Sequence, residues 1–186
     1  NLGIVYKRLN LLDEAIICFE MALNINPNEA DSYYNYANVF LKKEQYNTAL
    51  IFFKKALELK SNDISKIYYS MGLTFQFQNK YDEALDYFNK TLQLKKDYAD
   101  AHFAKATVLL INGDFENGWK EYEYRWEASN ELKRPNYDVK WLDSFENIKN
   151  KKILVQQEQG YGDNIQFVRY VFKLVELGAD VYLAVR

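Results

Sequence analysis

Small and aromatic residues return in pairs along this chain. Ala15 with Phe19, Ala49 with Phe53, Ala84 with Phe88 and Gly118 with Tyr122 recur 34 or 35 residues apart. A period in that range predicts a solenoid of two-helix repeats. Other positions fall into the same register. A small residue stands at Gly3, Ala37, Gly72 and Ala106, and an aromatic or apolar one at Tyr6, Phe40, Phe75 and Leu109. Leu12, Tyr46, Tyr81 and Phe115 lie between the two helices of each unit, and a further small position, Ala22, Ala56 and Thr91, becomes Arg125 in the last. Small residues let two helix backbones approach, and the aromatics fill the space that remains.

The apolar spacing predicts four helix pairs, at about 1–9 with 12–25, 29–43 with 46–59, 64–78 with 81–94, and 98–112 with 115–127. Asn10, Lys43-Glu44, Asn79-Lys80 and Asn112-Gly113 fall in or beside the turns inside the pairs. One extra residue between the second and third units falls in the polar stretch 60–65, where a surface turn tolerates insertion.

The period stops near Trp126, which sets the expected boundaries: a repeat array over 1–127, a linker or docking segment over 128–150, and a different domain over 151–186. Pro135, Asn136 and Asp138 break the helical pattern. Trp141, Leu142 and Phe145 are too apolar for a free linker, so the segment is expected to dock on a neighbouring surface. Beyond it come an apolar run over 152–157, a turn containing Gly160 and Gly162, an amphipathic stretch over 164–177, Gly178, and a second apolar run over 180–185. That order reads as one strand–helix–strand unit with parallel strands, Asp163 as the helix N-cap and Gly178 at its C-terminus. The expected fold class is therefore mostly α: an α-solenoid of four helix pairs, followed by the first βαβ unit of a Rossmann-like α/β domain.

Composition narrows the function classes. The net charge is −2 and the pI about 5.6, so there is no basic footprint for nucleic acid. No apolar run is long enough to enter a membrane as a span, and no signal peptide opens the sequence. One cysteine, Cys18, excludes an internal disulfide framework and suits a reducing, cytoplasmic setting. His102 is the single histidine, and without Cys or His partners it makes no metal site; packing between helices is its expected role.

Seven positions in register resemble the tetratricopeptide repeat over about residues 1–126. The resemblance implies that the first helix of each pair lines a concave groove for a protein or peptide. By register, that groove is expected to present Tyr34, Asn35, Asn38 and Lys42 from the second unit, Lys66, Tyr69 and Gln76 from the third, and Phe103 and Thr107 from the fourth. Aromatic and amide groups of this kind suit an extended peptide. Asn1 and Asn35 occupy equivalent positions and resemble two rungs of the asparagine ladder of some peptide-binding arrays; Ser70 and Ala104 interrupt it. Plain helix-surface asparagines are the alternative.

A second resemblance begins in the fourth unit. Gly113-Asp114-Phe115, Gly118-Trp119, Tyr122-Glu123, Arg125-Trp126, Trp141 and the run from Glu158 to Asp163 are similar to a bacterial family in which these repeats precede a heptosyltransferase-like glycosyltransferase domain. The resemblance implies a GT-B fold, incomplete over 151–186, and a complete protein that transfers a sugar from a nucleotide-sugar donor. No cofactor is expected in this stretch itself. It also implies that Asp163 is the base on the acceptor hydroxyl, with Glu158 a weaker candidate and Gln159, Gly160 and Gly162 the binding loop. Asp163 fits equally as a helix cap. The chain as given would then start partway through a repeat and stop after its second strand, binding without turnover. A non-enzymatic scaffold or adaptor is the alternative reading.

Overall fold

The computed structural model describes residues 2–128, 140, 142, 145–156 and 168–184. The chain divides into two compact units, Asn1–Pro135 and Asn136–Arg186. In the first, α1 (Leu2–Arg8) pairs with α2 (Leu12–Ile25), α3 (Ala30–Lys42) with α4 (Tyr46–Glu58), α5 (Ile64–Phe77) with α6 (Tyr81–Leu94), and α7 (Ala99–Ile111) with α8 (Phe115–Tyr122) and a one-turn α9 (Arg125–Ala128). These are the helix pairs the sequence predicts, with ends displaced by a residue or two.

The recurrent pairs form the core. Ala15, Phe19, Ala49, Phe53, Ala84 and Phe88 are fully buried. Each pair also packs on the next first helix: Ala15 and Phe19 cluster with Tyr36 and Val39, Ala49 and Phe53 with Ile67 and Met71, and Ala84 and Phe88 with Ala104 and Val108. The small partner position lets the ring lie on backbone. A Cβ built on Gly72 would come within 2.5 Å of the Phe88 ring, and one on Gly3 within 2.9 Å of Phe19. In the last unit the roles shift, because a Cβ on Gly118 would meet Leu110 of α7 at 2.7 Å. Glycine replaces alanine there because α7 itself closes on the site.

The turns inside the pairs are one motif used four times. Asn10, Glu44, Asn79 and Gly113 all take positive φ, between 57° and 82°. In each, the following residue donates back to a first-helix carbonyl (Leu11 to Tyr6, Gln45 to Phe40, Lys80 to Phe75, Asp114 to Leu109) at 2.9–3.0 Å. This is the Schellman arrangement, which satisfies carbonyls left open at a helix end. The turns between units differ. Asn26 and Lys95 leave α2 and α6 in extended backbone, whereas Lys60 leaves α4 with φ 55° and a further Schellman bond from Ser61 to Ala56. The extra residue of the third period is absorbed by this change of turn type.

The fourth unit departs from the expected continuous helix over 115–127, which breaks after Tyr122. Arg125 takes the place of small residues, is itself buried, and donates from Nη1 to the Tyr122 carbonyl at 3.2 Å. Its guanidinium lies over the rings of Tyr122 and Trp126 and pairs with Glu123. A bulky cation in a seam built for alanine takes the carbonyl that helical continuation would use, and the chain turns.

In the second unit, β1 (Lys152–Gln156) and β2 (Asp180–Ala184) form a parallel pair in register from Lys152 with Asp180 to Gln156 with Ala184, and α10 (Arg169–Glu176) lies between them in sequence. Gly178, at φ +85°, ends α10 as expected; residues with a side chain are strained in that region. Ile148, Ile153 and Ala179 form its small core, with Val155, Leu174 and Val181 against them. Among the described residues of the preceding segment, Ile148 is the one that is buried. Leu142 and Phe145, expected to do so, are 44% and 67% exposed, and Trp141 lies outside the described residues. No helix among the described residues is long and apolar enough to cross a membrane.

Candidate binding groove

Burial by the repeat seam orients the first helices so that one face of α3, α5 and α7 stays partly open. Between α5, α7 and α9 that face holds a cavity of about 370 Å³, lined by Tyr69, Leu73, Gln76, Asp100, Phe103, Ala104, Thr107, Arg125 and Ala128. Four predicted groove residues therefore meet in one place: Tyr69, Gln76, Phe103 and Thr107. Tyr34, Asn35, Asn38, Lys42 and Lys66 do not line it. Asn1, and the loop and catalytic candidates Glu158, Gln159, Gly160, Gly162 and Asp163, lie outside the described residues.

Several predicted ligand-binding groups are already engaged. Asn35 accepts from Lys7 Nζ at 3.1 Å and donates to the Asp31 carbonyl at 2.9 Å. Asn38 donates to the Tyr34 carbonyl at 2.8 Å, and Thr107 to the carbonyls of Phe103 and Ala104. Lys42 donates to the Lys7 carbonyl, and Lys66 pairs with Asp63, the N-cap of α5, at 2.9 Å. Ser70, where the ladder is interrupted, lies 3.4 Å from the Tyr34 hydroxyl, so a cross-repeat hydroxyl contact stands in place of an amide rung.

Gln76 differs from these. Its Oε1 is buried and accepts no hydrogen bond among the described residues. A buried acceptor of this kind costs free energy until a donor reaches it. The surroundings are aromatic and mildly acidic. Burial raises the Tyr69 phenol to about 12, with the Asp100 carboxylate and Tyr34 adding to the effect. Burial, followed by Tyr34, Asp100, Tyr69 and Asp63, raises Tyr98 as well, and its ring lies 5.2 Å from that of Tyr69. Both phenols stay protonated near neutrality and remain donors. Burial, then Lys42 and Arg8, lowers the Lys7 ammonium.

Sequence reasoning missed Tyr98 and the α9 wall. Tyr98 falls at the first position of the predicted 98–112 helix and is not among the expected groove residues; in the structure it precedes α7 as its N-cap. The one available signal for the wall was Arg125 breaking the small-residue column. His102 is an inter-helix residue, as expected: Nδ1 meets Glu121, Nε2 donates to the Lys96 carbonyl at 2.8 Å, and the ring stacks on Tyr124 at 3.7 Å. Among the described residues no cluster of His, Cys, Asp or Glu could hold a metal ion.

A tetratricopeptide-repeat family model matches residues 1–62 and 28–97, and a second matches 69–131. Protein FlbA of Caulobacter vibrioides is 28% identical over 190 residues, an alignment that takes in 99% of this chain and 31% of that protein. The chain thus spans under a third of that relative. Among solved structures, the fold is similar to MamA, with a TM-score of 0.60 at 20% identity over 68% of this chain and 74% of the other. It is also similar to YrrB, described as a TPR protein with an unusual peptide-binding site, with a TM-score of 0.57 at 23% identity over 69% of this chain and 66% of the other.

Proposed function

Since the chain belongs to the tetratricopeptide-repeat family, we propose that residues 1–128 are a protein-binding module that holds an extended peptide segment along the first-helix face, anchored in the α5–α7–α9 cavity. The observation that carries this reading is the cavity of about 370 Å³ on the first-helix face, walled by Tyr69 and Phe103 with Gln76 beside them. A peptide segment lies in it, with the two rings covering one of its side chains and the Gln76 amide beside its backbone. A peptide library screened against the chain by fluorescence anisotropy tests it. Gln76→Leu and Phe103→Ala are each expected to weaken a selected peptide about tenfold, the scale of one lost anchor. Unchanged affinity in both would sink the reading.

The finer proposal is that the array precedes a glycosyltransferase domain of the heptosyltransferase-like type, in which it positions an acceptor. Two parallel strands flanking a helix, and the Glu158-to-Asp163 run between β1 and α10, support it. An inverting sugar transfer needs a carboxylate at the attacking hydroxyl, and Asp163 is the proposed base. Transfer from a panel of nucleotide-sugars by the full-length protein is the assay. Full turnover after Asp163→Asn excludes that role, and no turnover with any donor favours the scaffold.

A further inference from the structure

We propose that the α5–α7–α9 cavity takes an arginine side chain of the bound peptide, its guanidinium lying against the rings of Tyr69 and Phe103 and paired with the Asp100 carboxylate. This rests on the reading of that cavity as the peptide anchor, and adds the chemistry of what it holds. At about 370 Å³ the cavity is near the lower end of the range for ligand pockets, a size that suits one anchored side chain. Asp100 and Phe103 are three residues apart on α7 and so neighbour each other on one helix face, while α5 supplies Tyr69. The rings are held in place from behind. Tyr34, Tyr69 and Phe103 are equivalent in register, and each rests on a ring of its own second helix: Phe53 at 6.0 Å, Phe88 at 6.1 Å and Tyr122 at 5.5 Å.

The charges around the cavity favour a cation. Asp31, equivalent in register to Asp100, accepts from Ser61 at 3.0 Å, and Asp63 accepts from Ser65 at 2.6 Å and pairs with Lys66. The Asp100 carboxylate makes no such bond to a described residue, and its charge reaches both Tyr69 and Tyr98. Nearby cations have carboxylates of their own: Lys66 has Asp63, Lys105 has Glu121, and Arg125, in the cavity wall, has Glu123. A carboxylate beside two ring faces suits a flat cation above all, because a guanidinium stacks on rings and bonds a carboxylate at once. The wall already contains that arrangement. The Arg125 guanidinium lies 4.8 Å from the Tyr122 ring and 4.4 Å from the Trp126 ring, and bonds Glu123 at 3.2 Å.

The test is a double-mutant cycle between residues 1–186 and peptides selected from a library, read by fluorescence anisotropy. Each arginine of a selected peptide is replaced in turn by citrulline, which keeps the shape and removes the charge. Selected peptides are expected to carry arginine, and citrulline at one position is expected to weaken binding about tenfold. Asp100→Asn is expected to weaken the arginine peptide about tenfold and to leave the citrulline peptide unchanged. Asp97→Asn, at an exposed site outside the cavity, is expected to change neither. The citrulline arm uses the unaltered protein, so it reads the pairing even where Asp100→Asn disturbs folding. Binding that Phe103→Ala weakens, but that citrulline and Asp100→Asn leave alone, keeps the cavity as the anchor and overturns the arginine assignment. Indifference to all three changes removes the anchor as well. Equal weakening by Asp97→Asn and Asp100→Asn also overturns the assignment, since it reports the general field of the face and no specific pair.

Discussion

Replacing Gly72 by alanine sets two opposing effects against each other within the repeat seam. Alanine favours a helix interior over glycine by about 1 kcal/mol. The added Cβ, however, would lie 2.5 Å from Cε1 and 2.7 Å from Cδ1 of Phe88, against about 3.5–4.0 Å for a relaxed carbon contact. The ring has to retreat by about 1 Å, and it is fully buried beside Ala84, Ala104 and Val108. Overpacking of this kind costs about 1–3 kcal/mol, so the expected net effect of Gly72→Ala is a loss of about 0–2 kcal/mol. Urea unfolding followed by far-ultraviolet circular dichroism measures it. The sharper quantity is the double-mutant cycle with Phe88→Leu: once the ring is gone, alanine is expected to recover its helical advantage, giving a coupling of at least about 1 kcal/mol. Ala37 at the equivalent place shows that the seam accepts a methyl when the facing ring is seated for it, so the cost lies in reseating Phe88. A Gly72→Ala protein stabilised by the full propensity term, with no coupling to Phe88→Leu, would refute the reasoning.

Asp63→Ala removes the N-cap of α5 and is expected to cost about 1 kcal/mol by urea unfolding, while Asp63→Asn keeps the cap and loses only the charge-dependent part. Hydrogen bonds from Ser65 and Lys66 hold the Asp63 carboxyl down at about 2, so its contribution is present above the unfolded value near 3.9 and fades as pH falls towards 2; melting curves of Asp63→Asn should lack that component. Burial disfavours the Glu121 carboxylate, but hydrogen bonds from Lys105 and His102 outweigh it and lower its pKa, so this contribution also disappears as pH falls through the carboxylate range. Glu121→Gln is expected to cost about 1–3 kcal/mol at pH 7 by thermal unfolding, and His102→Tyr with Glu121→Tyr, which restores the aromatic pairing of Tyr68 with Tyr87, should recover part of it. Glu44→Gly relieves a side chain at φ 60° and is expected to stabilise by up to about 1 kcal/mol in the same assay.

What was legible in the sequence followed from repetition. A position that recurs in register reports the same packing each time, so Ala49, Phe53 and their equivalents located helices, seam and turns together. Features that occur once carry no such redundancy. Lys60 adopts its own turn because one residue was inserted, and no periodic signal predicts a left-handed lysine. The groove was half legible for the same reason. Register placed Tyr69 and Phe103 on the face that lines the cavity, but it could not show that Asn38 and Thr107 spend their donors on their own helices. Those bonds run to carbonyls three or four residues back, a local competition that depends on rotamer rather than on pattern. Leu142 and Phe145 misled because apolarity alone does not tell a docking residue from an exposed one, and Ile148, buried among the described residues, lies further along the chain.

The cavity exists because the fourth repeat fails to repeat. In the first three units the second helix runs 13 or 14 residues without a break; in the fourth it stops after eight, and α9 comes round to wall the space beside α5 and α7. Two substitutions in the repeat pattern bring this about. Gly118 lets Leu110 and α7 close on α8, and Arg125 captures the Tyr122 carbonyl and turns the chain. Each breaks a rule kept three times elsewhere, and a third departure, His102 with Glu121 in place of an aromatic pair, ties the shortened helix back to α7. Local rule-breaking in an otherwise consistent fold is where function is expected to sit. The cavity lined by Tyr69, Gln76 and Phe103 lies at that place.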